Sequence, residues 1–289
     1  LELRRTRQQM LHDGEVVRVG SRVEGWRAGD RAVALSRYGG YARDVVVSAR
    51  NAFRYPDTLT PVQAAAVPVV FLTAWVALFE AARVRAGETA LILGAGGGVG
   101  TAAVQLAVRG KLRVIGTAGA PHKRDFVVQE LGAEACFDSR GDWEPEVVRL
   151  VGPRGIDCAL DSVGGHATAS CRRLLAPLGR LVFYGLSEAM PGARRSWLRA
   201  AGAWLRTPRF HPLSLVEPNI GVFGVHLLHL KAREAIMGPA LEEIHRGIVA
   251  GELRPVIDRE YPLDRAGAVA AHRHLHARGN LGKVVLTAP

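Results

Sequence analysis

The stretch Leu91-Ile92-Leu93-Gly94-Ala95-Gly96-Gly97-Gly98-Val99-Gly100-Thr101-Ala102-Ala103 constrains this chain more than any other. An apolar strand pattern runs into closely spaced glycines and continues as a helix. Glycine is needed there because only a residue without Cβ lets the turn close tightly and the helix start lie against the strand. The first backbone N–H groups of such a helix, with the positive end of its dipole, form a seat for phosphate. A glycine pattern alone is a weak signal, and the flanking strand and helix give it physical meaning. The alternative is a turn that packs helix on strand without a ligand; the flanking elements favour binding.

Around this unit strand and helix alternate. Strands are expected at 89–93, 113–117, 135–137, 156–160, 180–184 and 221–223, and helices at 100–109, 123–131, 145–151 and 166–175. Short apolar strands with intervening helices predict a parallel sheet covered on both faces. Before this region the text reads as short strands at 15–19, 31–35 and 41–47, punctuated by Gly20, Gly25, Gly29-Asp30 and Gly39-Gly40. Thr60-Pro61 opens a helix, with Thr as cap. From Leu253 the β character returns, through 255–257, a helix at 265–277 and a closing strand at 283–287. The β-rich unit is thus split, 1–65 and 251–289, around an α/β unit at 66–250.

The 289 residues are 48% hydrophobic, enough for a packed core and too apolar for disorder as the main state. A net charge of +11 favours anionic partners without choosing among phosphorylated cofactors, nucleic acid and acidic lipid. Binding to nucleic acid or lipid through bulk charge is the weakest of these readings and predicts steep weakening with salt. Cys136, Cys158 and Cys171 stand far apart with no CxxC, so free thiols in a reducing cytoplasm are expected. The basic start lacks the apolar stretch of a secretory signal. The run 64–79 is sixteen residues long and falls short of a membrane span, which makes a buried helix of a soluble protein the expectation. A Trp- and Arg-bearing segment at 194–206 could lie on a membrane surface, but packs more simply as an insertion with Arg outward.

A second signal is an absence. Units of this type that bind NAD carry an acidic residue about 20 residues past the glycines, on the ribose hydroxyls. Here the strand end reads Gly116-Thr117-Ala118-Gly119, followed by Lys123 and Arg124. Loss of the acid and gain of cations suits a 2′-phosphate, so NADPH is expected over NADH. The competing reading of Lys123-Arg124 is a solvated helix start. Asp125 falls inside the expected helix.

With these motifs in place, the sequence resembles the medium-chain dehydrogenases/reductases, in the zinc-free quinone oxidoreductase group and its branch of vesicle amine transport protein homologues. The resemblance runs from about Gly14 to the C-terminus. It rests on Gly29-Asp30-Arg31-Ala32-Val33, Gly39-Gly40-Tyr41-Ala42, Phe71-Leu72-Thr73-Ala74-Trp75, the glycine loop, Leu160-Asp161-Ser162-Val163-Gly164-Gly165, Gly179-Arg180-Leu181, Asn219-Ile220-Gly221-Val222-Phe223-Gly224 and Asn280-Leu281-Gly282-Lys283-Val284-Val285-Leu286. It implies an α/β fold, a Rossmann doubly wound parallel sheet inserted in a partial GroES-like domain, and homodimers joined near Val222 and Val225. It also implies NADPH with its pyrophosphate at Gly97, Gly98, Val99 and Gly100. The 2′-phosphate would meet Lys123 beside Thr117, with Arg278 as a further cation. Ser162 and Gly164 would line the adenosine, and Tyr184, Gly185, Phe223, Gly224 and Val225 the nicotinamide. Three features depart from the family pattern. Residues 1–13 read as a basic helix where strands are usual, Val70 replaces a frequent asparagine, and Ser139 stands where an aromatic is common, with Arg140 as a substitute.

The chemistry this implies is zinc-independent hydride transfer from NADPH to a small-molecule quinone, enone or enoyl thioester. Thr73 is the candidate polar contact for the reacting carbonyl, or else bonds its own helix backbone. Related enoyl reductases suggest Lys123 and Asp142 as proton donors, whereas Asp142 also reads as a helix cap. A cofactor-binding scaffold without turnover and a trans-acting enoyl reductase of polyketide synthesis are the alternatives. His272, His274 and His276 lack an accompanying carboxylate in sequence and read as a solvated helix rather than a metal site.

Overall fold

The structure, a computed structural model, describes residues 10–36, 39–187, 208–230 and 234–288. The head is a three-stranded antiparallel sheet of β1 (Met10–Glu15), β2 (Arg31–Ser36) and β3 (Ala52–Phe53). Positions 10–13 are therefore strand and not the expected helix. Met10 pairs with Ser36 and Glu15 with Arg31, and this ladder outweighs local helical preference. The strand expected at 15–19 shares only Glu15 with β1. The one expected at 41–47 does not form, and Val46 there is 99% exposed, so its alternation has no face to bury.

Thr60 caps α1 (Pro61–Ala66) in a reciprocal capping box with Gln63, as the Thr-Pro pair predicts. Then come α2 (Pro68–Trp75) and a wider π turn, Val76–Ala81. The whole helical run Pro61–Ala81 has 21 residues, with a mean hydropathy of 2.0 in its most apolar stretch, long and apolar enough to cross a membrane by length and composition. Length therefore does not decide, contrary to the sixteen-residue reading. Burial does: 72% of the apolar window lies inside the protein, including Phe71, Leu72 and Leu78, which makes it a core helix.

The large sheet follows: β4 (Thr89–Leu93), α3 (Gly98–Arg109), β5 (Arg113–Ala118), α4 (Pro121–Gln129), β6 (Ala135–Asp138), α5 (Glu144–Val151), β7 (Ile156–Asp161), α6 (Gly165–Leu174), β8 (Leu175–Phe183) and β9 (Gly221–Gly224). All six strands are parallel, in the order β6-β5-β4-β7-β8-β9. Every residue of the central β4 is buried. Ala90 and Ile92 join a core with α2, α3 and α7 (Glu234–Val249), while Leu91 and Leu93 join a second core with Val147, Cys171 and Leu174. Period-two alternation with both faces covered is why β4 reads as unbroken hydrophobic text. All three cysteines are free; burial pushes the Cys136 and Cys158 thiols up to about 12, so both are neutral packing groups at pH 7. The segment 194–206 lies outside the described residues.

The chain ends with β10 (Ile257–Pro262), α8 (Arg265–His276) and β11 (Lys283–Thr287), where β10 and β11 pair in parallel. Residues 255 and 256, expected as strand, instead lead into β10. Buried Gln105 of α3 ties this closing segment to the sheet domain. Its Nε2 donates to Thr101 O at 3.0 Å and Arg254 O at 3.1 Å, and its Oε1 accepts from Arg254 N at 2.8 Å. Leucine at 105 would leave both backbone groups of Arg254 without a partner. Gln105→Leu is expected to lower the unfolding free energy by about 2 kcal/mol, read from the urea midpoint at unchanged m.

Candidate functional site

The strand order reverses beside β4, between β5 on one side and β7 on the other. In an open α/β sheet the carboxyl ends of the strands at that point flank the ligand crevice. The glycine loop leaves β4 there. Gly94 turns with φ +68°, and a Cβ on it would lie 3.1 Å from Ser162 Oγ. Gly100 has less room still: a Cβ would meet Gly94 O at 2.2 Å and Ala95 Cα at 2.7 Å. Gly97 N donates to Gly94 O at 2.9 Å and, as N-cap, offers no side chain to α3. The N–H groups of Gly98, Val99 and Gly100 stand ahead of the helical ladder and bond to no described residue. Three backbone donors at a helix start with no acid in its first turn are fitted to hold an anion.

Several residues expected to touch the cofactor also hold the loop in place. Thr117 is buried, its Oγ1 accepts from Gly94 N at 3.4 Å, and its carbonyl accepts from Ala95 N at 2.9 Å. Ser162 Oγ donates to Leu93 O at 3.2 Å and Tyr184 Oη to the same carbonyl at 3.3 Å; burial pushes the Tyr184 phenol up to about 12. Asp161, fully buried, was missed as a site residue in the sequence. Its Oδ1 accepts from Val163 N at 2.7 Å and Gly164 N at 2.9 Å, and its Oδ2 from Thr168 Oγ1 at 2.6 Å. These bonds fix the turn of Ser162 and Gly164, the latter at φ +85°. Gly185 packs on Ser162, while Phe223 and Gly224 lie exposed on the edge strand and Val225 N bonds Phe183 O at 2.7 Å.

Beyond β5 the field is cationic. Lys123 is buried against Gly96, which overturns the solvated-helix reading. Its Nζ donates to Arg278 O at 2.8 Å and Asn280 O at 2.6 Å, and burial holds the ammonium below the usual lysine range, with Arg140 lowering it further and Asp258 opposing. An ammonium has three N–H donors, so one remains. Arg140 lies over Gly119 at the end of β5, its Nε 3.3 Å from where a Cβ would stand, with Ser139 Oγ at 3.4 Å. The neighbouring carboxylate, Asp138, is occupied by Arg124 at 3.2 Å and by Arg140 N at 3.0 Å. Arg278 is exposed and donates to Ser187 O at 2.9 Å.

The closing segment docks on the loop. Gly282 N donates to Gly96 O at 2.9 Å, and Gly97 and Gly282 form a parallel bridge. Asp258 steadies this segment by accepting from Leu281 N at 3.1 Å and pairing with His274 Nε2 at 2.5 Å. The histidine run is therefore not simply solvated: a carboxylate from β10 reaches His274, and Tyr41 Oη lies 2.7 Å from His272 Nε2. The sequence could not show these partners because they lie on other elements. Among the described residues no group of three His, Cys, Asp or Glu side chains is placed to hold a metal.

Thr73 is buried on α2 and its hydroxyl bonds to no described residue, so the self-capping reading does not hold. Asp142 is exposed; α5 begins after Trp143 without a side-chain cap, and no contact joins Asp142 to Lys123. Asp142 is thus not the helix cap. The stem of Lys283, which in sequence is simply part of the closing strand, crosses Gly98 of the loop.

Gly100→Ala is expected to cost about 3 kcal/mol, because the clash is with backbone on both sides. Gly98→Ala meets the flexible Lys283 stem at 2.9 Å, and denaturant unfolding should show a loss of about 1 kcal/mol or less.

The family described as zinc-binding dehydrogenase matches residues 131–286. A synaptic vesicle membrane protein VAT-1 homolog of Danio rerio is 33% identical over 275 residues, covering 95% of this chain, which spans only 56% of that relative's length. Among solved structures, a quinone oxidoreductase from Thermus thermophilus, described with its NADPH complex, aligns with a TM-score of 0.72 and 35% identity over 89% of this chain and 76% of its own. The CurK enoyl reductase aligns at 0.81 and 27% over 97% and 78%. With the doubly wound sheet and glycine loop already described, these likenesses make the chain a member of the medium-chain dehydrogenase/reductase superfamily of oxidoreductases, in its zinc-free quinone-oxidoreductase-like branch.

Proposed function

We propose that the protein is an NADPH-dependent reductase of a quinone, enone or enoyl thioester. The observation that carries this reading is the cationic end of β5, where Lys123 keeps one N–H unspent, Arg140 covers Gly119, and the carboxylate of Asp138 is already engaged. A ribose 2′-phosphate answers that charge, whereas the bare ribose of NADH offers it nothing. The glycine loop would hold the diphosphate on its free N–H groups. When bound, the nicotinamide supplies a hydride for an electron-poor carbon, and a proton completes the reduction.

The chain's own part is orientation and exclusion of water. Thr73 lies one helical turn from Val70, whose Cγ1 is 3.3 Å from the Cβ position of Gly98, so both face the loop from α2. Its free hydroxyl is the donor we assign to the substrate carbonyl, and with Asp142 apart, solvent supplies the proton. The exposed edge of β9, with Phe223 at 43% exposure and, in the segment that leads into it, Leu213 at 71% and Val216 at 69%, supports a homodimer through that edge.

Fluorescence titration should show NADPH binding about tenfold or more tighter than NADH, and Arg140→Ala should remove most of that preference while leaving NADH affinity nearly unchanged. Equal affinity for both dinucleotides would overturn the cofactor assignment. Thr73→Val should lower kcat with quinone or enoyl thioester by about tenfold at unchanged NADPH affinity.

A further inference from the structure

We propose that His272 and His276 of α8 hold a divalent metal ion of the kind that prefers imidazole, with Tyr41 of the head setting the tautomer of His272. This stands apart from the dinucleotide reading and uses none of the residues assigned to it.

The two rings are brought together by the helix. Asp264 caps α8 by accepting from Gly267 N at 2.7 Å, which fixes where the helix starts. Positions four apart share one face, and helical side chains lean toward the N-terminus, so His276 leans back over His272. Their ring centres are 6.4 Å apart and tilted by 33°. Two imidazoles on one tetrahedral ion, with metal–nitrogen distances of about 2.0–2.1 Å, stand with their centres about 5 Å apart. A small rotation closes that gap, because His276 is exposed and His272 half-buried. His274 does not compete, since its Nε2 is spent on Asp258 at 2.5 Å.

Tyr41 reaches α8 from the head. Its Oη lies 2.7 Å from His272 Nε2, and the two rings meet edge to face at 5.9 Å. Partial burial holds the Tyr41 phenol above the usual tyrosine range, so at pH 7 it keeps its proton and is no anionic ligand. In the metal-bound state its oxygen accepts the Nε2–H of His272, which leaves Nδ1 bare as a lone-pair donor. Ligating histidines are commonly held in this way, through the nitrogen that does not touch the metal. His276 makes no hydrogen bond or ion pair with any described residue, so its lone pair is unspent. Neutral imidazoles suit Zn²⁺, Cu²⁺ or Ni²⁺, whereas Ca²⁺ and Mg²⁺ take oxygen ligands. Water completes the coordination. Arg273 and Arg278, exposed on the same segment, repel a cation through solvent and keep the affinity modest.

The test is calorimetric titration of the full chain, freed of metal with EDTA, with zinc chloride as the probe. The parent should take up a single Zn²⁺ at micromolar concentration, and His272→Gln and His276→Gln should each weaken that uptake by about tenfold or more. Tyr41→Phe should weaken it by about tenfold through loss of the tautomer lock, and an unaltered affinity there would strike Tyr41 from the site. His229→Gln is the control, because His226 and His229 form another ring pair, 4.4 Å apart. No uptake by the parent, uptake that survives both α8 variants, or uptake lost in His229→Gln instead would overturn the assignment. Should the variants fail to fold, diethyl pyrocarbonate labelling of the parent decides. Zn²⁺ should shield His272 and His276 and leave His229 reactive; equal labelling of the α8 pair with and without Zn²⁺ would overturn the proposal.

Discussion

The contact between Gly100 and the Gly94 carbonyl is the constraint on which the rest depends. With no room for a Cβ at 100, α3 can start directly against the end of β4, and its first N–H groups emerge at the switch point of the sheet. A helix held farther back would carry the same dipole but aim it elsewhere. Thr117, Ser162 and Tyr184 then brace the loop from below by bonding Gly94 N and Leu93 O. They act on backbone atoms of the loop and so shape the seat.

The loop is also where distant parts of the chain meet. Gly282 bonds Gly96, Lys123 holds the carbonyls of Arg278 and Asn280, and Gln105 holds both backbone groups of Arg254. Each tie is polar and local, and together they lock the closing strands onto the sheet domain. Lys123 is bound by neutral carbonyls rather than a carboxylate, so its charge is solvated but not cancelled. That leaves a positive field beside the strand end, consistent with the chain's overall +11 charge.

Much of the sheet domain was legible in the text. β4 and β11 coincide with the expected strands, and β5, β6, β7 and β9 differ by one residue, because each is a short run bounded by turns, and the buried β4 is apolar throughout. The β-rich head was harder. Residues 10–13 look helical until β2 is set beside them, and 41–47 alternates without a partner. The same applies to side chains. The cationic character near 123 was readable, but its burial, the engagement of Asp138, the isolation of Asp142 and the reach of Asp258 to His274 all depend on elements far apart in sequence.

By itself the sequence determined the kind of fold and the place of the phosphate seat. Glycine spacing, strand hydrophobicity and the missing acid act over a few residues, and local chemistry is written locally. Only the tertiary structure decided which cations serve that seat. It spends two donors of Lys123 on carbonyls and lays Arg140 over Gly119. Whether a charge is satisfied depends on what folding brings within about 3 Å of it, and no spacing along the chain encodes that.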